Sequence, residues 1–247
     1  MRRLARLDLP SPVADDLAAR QDEADRKRRA ASLLVSEEWK AARASRTLKS
    51  VLAVLRRMTG DRERCMYCLD SHGSDIEHFW PKMRYPERMF LWPNLLLCCA
   101  DCGRLKGNRF PLSTDARPLL IDPTAEDPWL DLDFDPPTGN LVARFDPVVG
   151  DYSAKGQHTV ATLQLDRREA LAVGYRRTFR RLAALVERHL SEPGNKDDLA
   201  RALADADDHG LLGWCFLEAG QGQTPFRTLR QQDPEAWQAC AAVARGA

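Results

Sequence analysis

Two short cysteine pairs, Cys65-x-x-Cys68 and Cys99-x-x-Cys102, bracket residues 69 to 98 and constrain this chain more than any other feature. A two-residue spacer lets both sulfurs of a turn reach a common ion at about 2.3 Å, so two such knuckles offer four thiolates to one tetrahedral Zn²⁺. The competing readings are a redox CxxC or plain buried thiols. A single redox pair beside a βαβ pattern is plausible chemistry, but two pairs enclosing a His-containing stretch are not. Cys98 keeps a second pairing open, Cys98-x3-Cys102, while Cys215 and Cys240 stand in apolar surroundings and read as core residues. Seven cysteines, an odd number, fit a complete disulfide framework poorly and suit a reducing compartment.

A zinc clamp is not demanded by size. At 247 residues the chain is long enough for one large domain or two small ones with a core of their own. Hydrophobic residues at 44% and charged ones at 30% exclude disordered, collagenous and membrane classes. The run Leu95-Leu96-Leu97-Cys98-Cys99-Ala100 is far short of the roughly 20 residues a membrane helix needs. The start, Met1-Arg2-Arg3-Leu4, has no apolar signal region. A cytoplasmic location without a membrane partner is therefore the expectation.

The formal charge of +1 hides segregation. Residues 40 to 64 carry eight bases against two acids, and residues 167 to 188 seven against two. Residues 115 to 151 reverse this, with nine acids against two bases. Basic helix faces of this kind neutralise phosphates, although solvated surface explains any one of them equally well.

Periodicity predicts a mainly α (α+β) protein: a helical scaffold with an embedded ββα-metal module held by the CxxC pairs. Ser36 is placed to cap a helix through Leu48, Val51, Leu52 and Leu55, ending at Thr59-Gly60. Asp166 is placed to cap a long helix, with Glu169 in a capping box and Leu171, Tyr175, Leu182, Leu185 and His189 on one face. Further helices are expected over 197 to 207 and 209 to 219, and Asp233-Pro234 should open a last one. The division expected is a helical region 1 to 61, a zinc-bearing module 62 to 114, an acidic Pro-rich segment of loops and short strands 115 to 158, and a helical region 159 to 247.

The chemistry lies between and just after the knuckles. Hydrolysing a phosphodiester needs a base for water, a divalent cation for the developing charge, and a rigid frame. His78 has the intrinsic pKa of a base near neutrality. Glu77, or Asp75 on the same side of a strand, offers a hard oxygen to Mg²⁺ or Mn²⁺. Asn94 can hydrogen-bond across a turn and fix the His78 loop. Lys82, Arg104, Lys106 and Arg109 are expected to meet phosphates of DNA. Singly, a histidine is more often structural and an asparagine more often a turn residue; the combination with two CxxC pairs is far more specific.

That combination resembles an HNH nuclease of the ββα-metal class with a four-cysteine zinc site, over roughly residues 62 to 112. A longer run resembles the PtuB-type HNH proteins of Septu and related retron anti-phage systems, up to about Arg177. It comprises Ile76-Glu77-His78-Phe79-Trp80-Pro81-Lys82, Asn94-Leu95, Lys106-Gly107-Asn108-Arg109-Phe110-Pro111, Leu120-Ile121-Asp122-Pro123-Thr124 and Thr159-Val160-Ala161-Thr162-Leu163-Gln164-Leu165. The resemblance implies DNA cleavage in phage defence beside an ABC/SMC-like ATPase of the PtuA type. It implies His78 as general base, Glu77 as metal ligand, Asn94 as the middle Asn, and Cys65, Cys68, Cys99 and Cys102 as zinc ligands. One position departs: where such proteins usually carry Asn or His after the last cysteine, this chain has Gly103. Asn108 or Asp75 then has to compensate, or water fills the metal's coordination. The alternative from another class is a zinc-ribbon adaptor that binds nucleic acid or a partner without chemistry.

Overall fold

The computed structural model describes residues 1–246, which form two compact units. One comprises Leu4–Tyr67 and Ser71–Pro118; the other comprises Met1–Arg3, Cys68–Asp70 and the chain from Leu119 onward. Mainly helical secondary structure with small sheets agrees with the α+β expectation. Among the described residues no helix is long and apolar enough to cross a membrane.

The first unit starts with α1 (Ser11–Arg29), α2 (Val35–Arg43) and α3 (Arg46–Met58). The mixed-charge stretch after the N-terminal prolines is thus a helix, whose buried Leu17, Gln21 and Ala24 recur at helical spacing. Gln21 accepts from Phe90 N at 2.8 Å and donates to Pro86 O at 3.1 Å, so its buried amide is satisfied by the loop that α1 covers. The single helix expected from Ser36 is two helices. Ser36 lies inside α2, and Ser45 accepts from Leu48 N at 3.3 Å to cap α3. α3 ends at Thr59, before Gly60 at φ +75°, as expected. Its buried Leu48, Val51, Val54, Leu55 and Met58 face the core.

Next come β1 (Asp75–His78), β2 (Leu95–Cys98) and α4 (Ala100–Lys106), an antiparallel pair followed by a short helix. The register sets Asp75 against Cys98, Glu77 against Leu96 and His78 against Leu95. Phe79, Trp80 and Tyr85 of the segment between the strands and Phe110 beyond α4 pack edge-on or tilted with centroids 4.5 to 5.8 Å apart, geometry that aromatic quadrupoles favour. Arg6 ties off the end of this loop, donating to Trp92, Pro93 and Leu95 carbonyls at 3.0 Å.

The second unit holds β3 (Leu132–Asp135), β4 (Asn140–Ala143), β5 (Phe145–Asp146) and β6 (Asp151–Tyr152), paired as two hairpins. The first hairpin turns where Pro136-Pro137-Thr138-Gly139 signals it. Gly139 has φ +83°, and a Cβ there would meet Ala172 O at 2.2 Å, so only glycine fits. Helices α5 (Ala154–Leu163), α6 (Glu169–Ser191), α7 (Lys196–Ala206), α8 (Leu212–Leu217), α9 (Phe226–Gln232) and α10 (Pro234–Gly246) follow. α6 begins later than expected: Arg168 is its N-cap residue and Asp166 caps nothing there. Its buried face runs Leu171, Ala172, Tyr175, Thr178, Leu182, Val186 and His189, with Leu185 only half-buried. His189 is the satisfied core histidine expected, bonded to Asp233 at 2.9 Å. α10 opens as expected, Asp233 accepting from Ala236 N at 3.0 Å with Pro234 following.

Candidate active site

The CxxC turns come together because each is local and the β1–β2 pairing joins them. Sγ atoms of Cys65, Cys68, Cys99 and Cys102 all lie within 4.8 Å of one another, and all four residues are buried. Tetrahedral Zn–S bonds of about 2.3 Å require sulfurs about 3.8 Å apart, so this donor set fits a structural metal such as zinc with little adjustment. Cys99 is also the N-cap residue of α4, its sulfur accepting from Cys102 N at 3.4 Å. Cys98 stays outside the cluster. Its thiol donates to Cys99 O at 3.2 Å, and hydrogen bonding with Cys65 and Cys99 together with burial pushes its pKa far up. Cys215 and Cys240 are buried core residues whose thiols burial also pushes up, that of Cys240 to about 12.

The far end of α4 carries a second fastening. Lys106 is fully buried and donates to Glu77 Oε1 and to His78 O, both at 2.7 Å. This corrects the expectation that Lys106 meets a phosphate: its ammonium is spent inside the molecule, neutralising a carboxylate whose side chain is 19% exposed. Arg104 and Arg109 remain exposed, Arg104 paired with Asp101 at 2.6 Å. Lys82 is half-buried, with its ammonium 5.6 Å from the centre of the Trp39 ring. Burial lowers its pKa, as do the nearby cations Lys106 and Arg43, while Glu77 opposes the shift.

His78 is 2% exposed. Trp39 of α2 meets its ring edge-on at 4.2 Å, and its Nε2 lies 3.0 Å from Met89 O. A carbonyl only accepts, so Nε2 carries the proton and the neutral ring keeps Nδ1 as its basic nitrogen. Desolvation first, and the Lys82 charge second, hold the His78 pKa well below the usual histidine range. The imidazole is therefore neutral at physiological pH.

Asn94 does fix the loop. Its Oδ1 accepts from Trp80 N at 2.7 Å, and its Nδ2 donates to Trp80 O at 3.1 Å and Arg88 O at 2.8 Å. Its amide thus faces backbone. Asp75 is exposed and paired with Arg43 at 2.8 Å, and Asn108 is exposed just past the end of α4. Among the described residues the four cysteines are the group of three or more Cys, His, Asp or Glu close enough to share an ion; Asp75, Glu77 and His78 do not make another. A Cβ at Gly103 would lie 3.8 Å from Glu77 Oε2, which marks that position as facing the same carboxylate. Trp39 and the Met89 carbonyl, both in contact with His78, carry no sequence signal, because only long-range packing brings them there.

No protein-family model matches the chain. Over 113 residues it is 29% identical to the Septu protein PtuB of Bacillus thuringiensis, covering 44% of this chain. The chain spans 38% of that relative's own length in the match.

Proposed function

We propose that this chain is a metal-dependent endonuclease of the HNH (ββα-metal) type that hydrolyses DNA phosphodiester bonds, with the nuclease module over residues 62 to 114. The observation that carries the reading is His78. A neutral imidazole whose Nε2 is committed to a carbonyl offers Nδ1 to take the proton from an attacking water. It sits at the end of β1, in an antiparallel pair followed by a helix, beside a four-cysteine cluster. Glu77 is the carboxylate that would hold Mg²⁺ or Mn²⁺, with substrate phosphate and water completing a shell that Mg²⁺ readily shares with them. The ion would stabilise charge on the scissile phosphate. Lys106 orients Glu77, Asn94 fixes the loop behind His78, and Arg104, Arg109 and Lys82 are the remaining candidates for DNA contact. At 2% exposure, His78 becomes reachable only when a covering side chain moves.

The distant similarity to a Septu PtuB protein supports a role in anti-phage defence with an ABC/SMC-like ATPase of the PtuA type. The test is cleavage of plasmid and phage DNA by the purified chain with Mg²⁺ or Mn²⁺, alone and with such an ATPase, beside His78→Ala. Loss of cleavage in the variant is the expected result, and equal cleavage by both removes His78 as the base. A zinc-ribbon adaptor is the second reading, favoured by Gly103 and by the burial of His78. It predicts binding that depends on the cysteines with no cleavage by the wild type.

A further inference from the structure

Beside the candidate base lies a concavity of about 530 Å³ lined by Ser36, Trp39, Lys40, Arg43, Ala44 and Lys82. Its place on α2 follows from the sequence: residues 36, 39, 40, 43 and 44 recur at helical spacing and share one stretch of surface. Trp39 is both a wall of this concavity and the ring that covers His78 at 4.2 Å. Three cations line it. Arg43 is paired with Asp75, while Lys40 is exposed and makes no ion pair among the described residues. Lys82 is half-buried, held over the Trp39 ring, and likewise has no carboxylate within ion-pairing distance among the described residues. Glu77 acts on this ammonium without a direct ion pair, so the half-buried charge is only partly compensated, and an anion in the concavity would offset the rest of that cost.

We propose that this concavity is a seat for a backbone phosphate of the nucleic acid, held by Lys40, Arg43 and Lys82 and the Ser36 hydroxyl. It rests on the nuclease reading and joins Lys82, already a candidate for DNA contact there, to a binding surface on α2 that lies outside the motif-bearing residues 62 to 114. The ligand class is a polyanionic phosphodiester chain: three cations around one concavity, with few polar groups to read a base, fit position rather than sequence. A phosphate seated there would share the Trp39 wall with His78, so engagement of the strand and uncovering of His78 would involve the same side chain.

The experiment is fluorescence anisotropy of a labelled 20-mer DNA duplex with the full chain at several salt concentrations. The proteins compared are wild type, Lys40→Glu, Lys82→Ala and, as a charge control, Arg201→Glu on exposed α7. Lys40→Glu should weaken binding about tenfold near 0.1 M salt and reduce the log–log salt slope by about 1, with Arg201→Glu unchanged. Equal binding and slope in Lys40→Glu and wild type overturn the proposal, as does an equal loss in Arg201→Glu. Lys40 is exposed, so its reversal leaves packing intact; a thermal melt guards the half-buried Lys82→Ala. His78→Ala separates the two readings. DNA bound through α2 but cut equally by wild type and His78→Ala defeats the nuclease reading alone, whereas normal cleavage with Lys40→Glu binding like wild type defeats the seat alone.

Discussion

Replacing Lys106 with methionine isolates the buried ion pair at the end of α4. Methionine fills most of the same volume, so the change removes charge and two hydrogen bonds without opening a large cavity. Lys106 is fully buried and bonds Glu77 and the His78 carbonyl at 2.7 Å each. Removing one member of a buried pair costs about 3 to 5 kcal/mol, chiefly because the other charge is left without a partner. Glu77 keeps 19% of its side chain exposed and can regain some water, which brings the expectation to about 2 to 4 kcal/mol. The assay is urea denaturation at fixed free zinc, followed by tryptophan fluorescence, for wild type, Lys106→Met, Glu77→Gln and the double variant. The double variant should recover at least about 1 kcal/mol relative to additivity, since Glu77→Gln removes the stranded charge. A Lys106→Met stability within about 0.5 kcal/mol of wild type, or full additivity, would refute the pairing as a stabilising feature.

Three further outcomes follow from the geometry. Cys102→Ser should abolish the one equivalent of zinc that elemental analysis should find in wild type, and should lower the melting temperature by several degrees, because metal binding to such a site is folding free energy. Gly103→His places a Cβ at an ordinary 3.8 Å from Glu77 Oε2, so the variant should fold, and half-maximal cleavage should need several-fold less Mg²⁺. Asp233→Ala removes the α10 cap and the partner of His189, at a cost of about 1 kcal/mol near neutral pH. The Ala236 amide bond first, and His189 second, hold the Asp233 carboxyl below its ordinary value. Its stabilisation is therefore fully present above the ordinary carboxylate pKa and is lost as pH falls through the lowered one, so the two melting curves should converge in acid.

What was legible in the sequence was local. The CxxC pairs, the Thr59-Gly60 helix stop and the Asp233-Pro234 helix start each depend on residues within a few positions of one another. The break between α2 and α3 is hidden in the sequence, because an alanine-rich stretch reads as continuous helix while Ser45 offers a cap that competes only weakly. Asp166 with Glu169 has the spacing of a capping box, yet Arg168 takes the N-cap position. On sequence alone Lys106 is a surface cation, because lysines on helices nearly always are. Its burial depends on Glu77, 29 positions away, and the covering of His78 depends on Trp39, 39 positions away. Neither pairing leaves a trace in periodicity or propensity.

Helix α4 is fastened at one end by cysteine sulfurs and at the other by Lys106 to the β1 residues Glu77 and His78. The state of the sulfurs is thereby linked to the placement of Glu77 and His78. An oxidant that joined two of those thiols in a disulfide would take ligands from any bound metal and loosen the whole seven-residue helix. Glu77 and His78 would then lose their support while remaining chemically intact. A reductant together with fresh zinc should restore them, giving the protein a reversible dependence on the redox state of its surroundings.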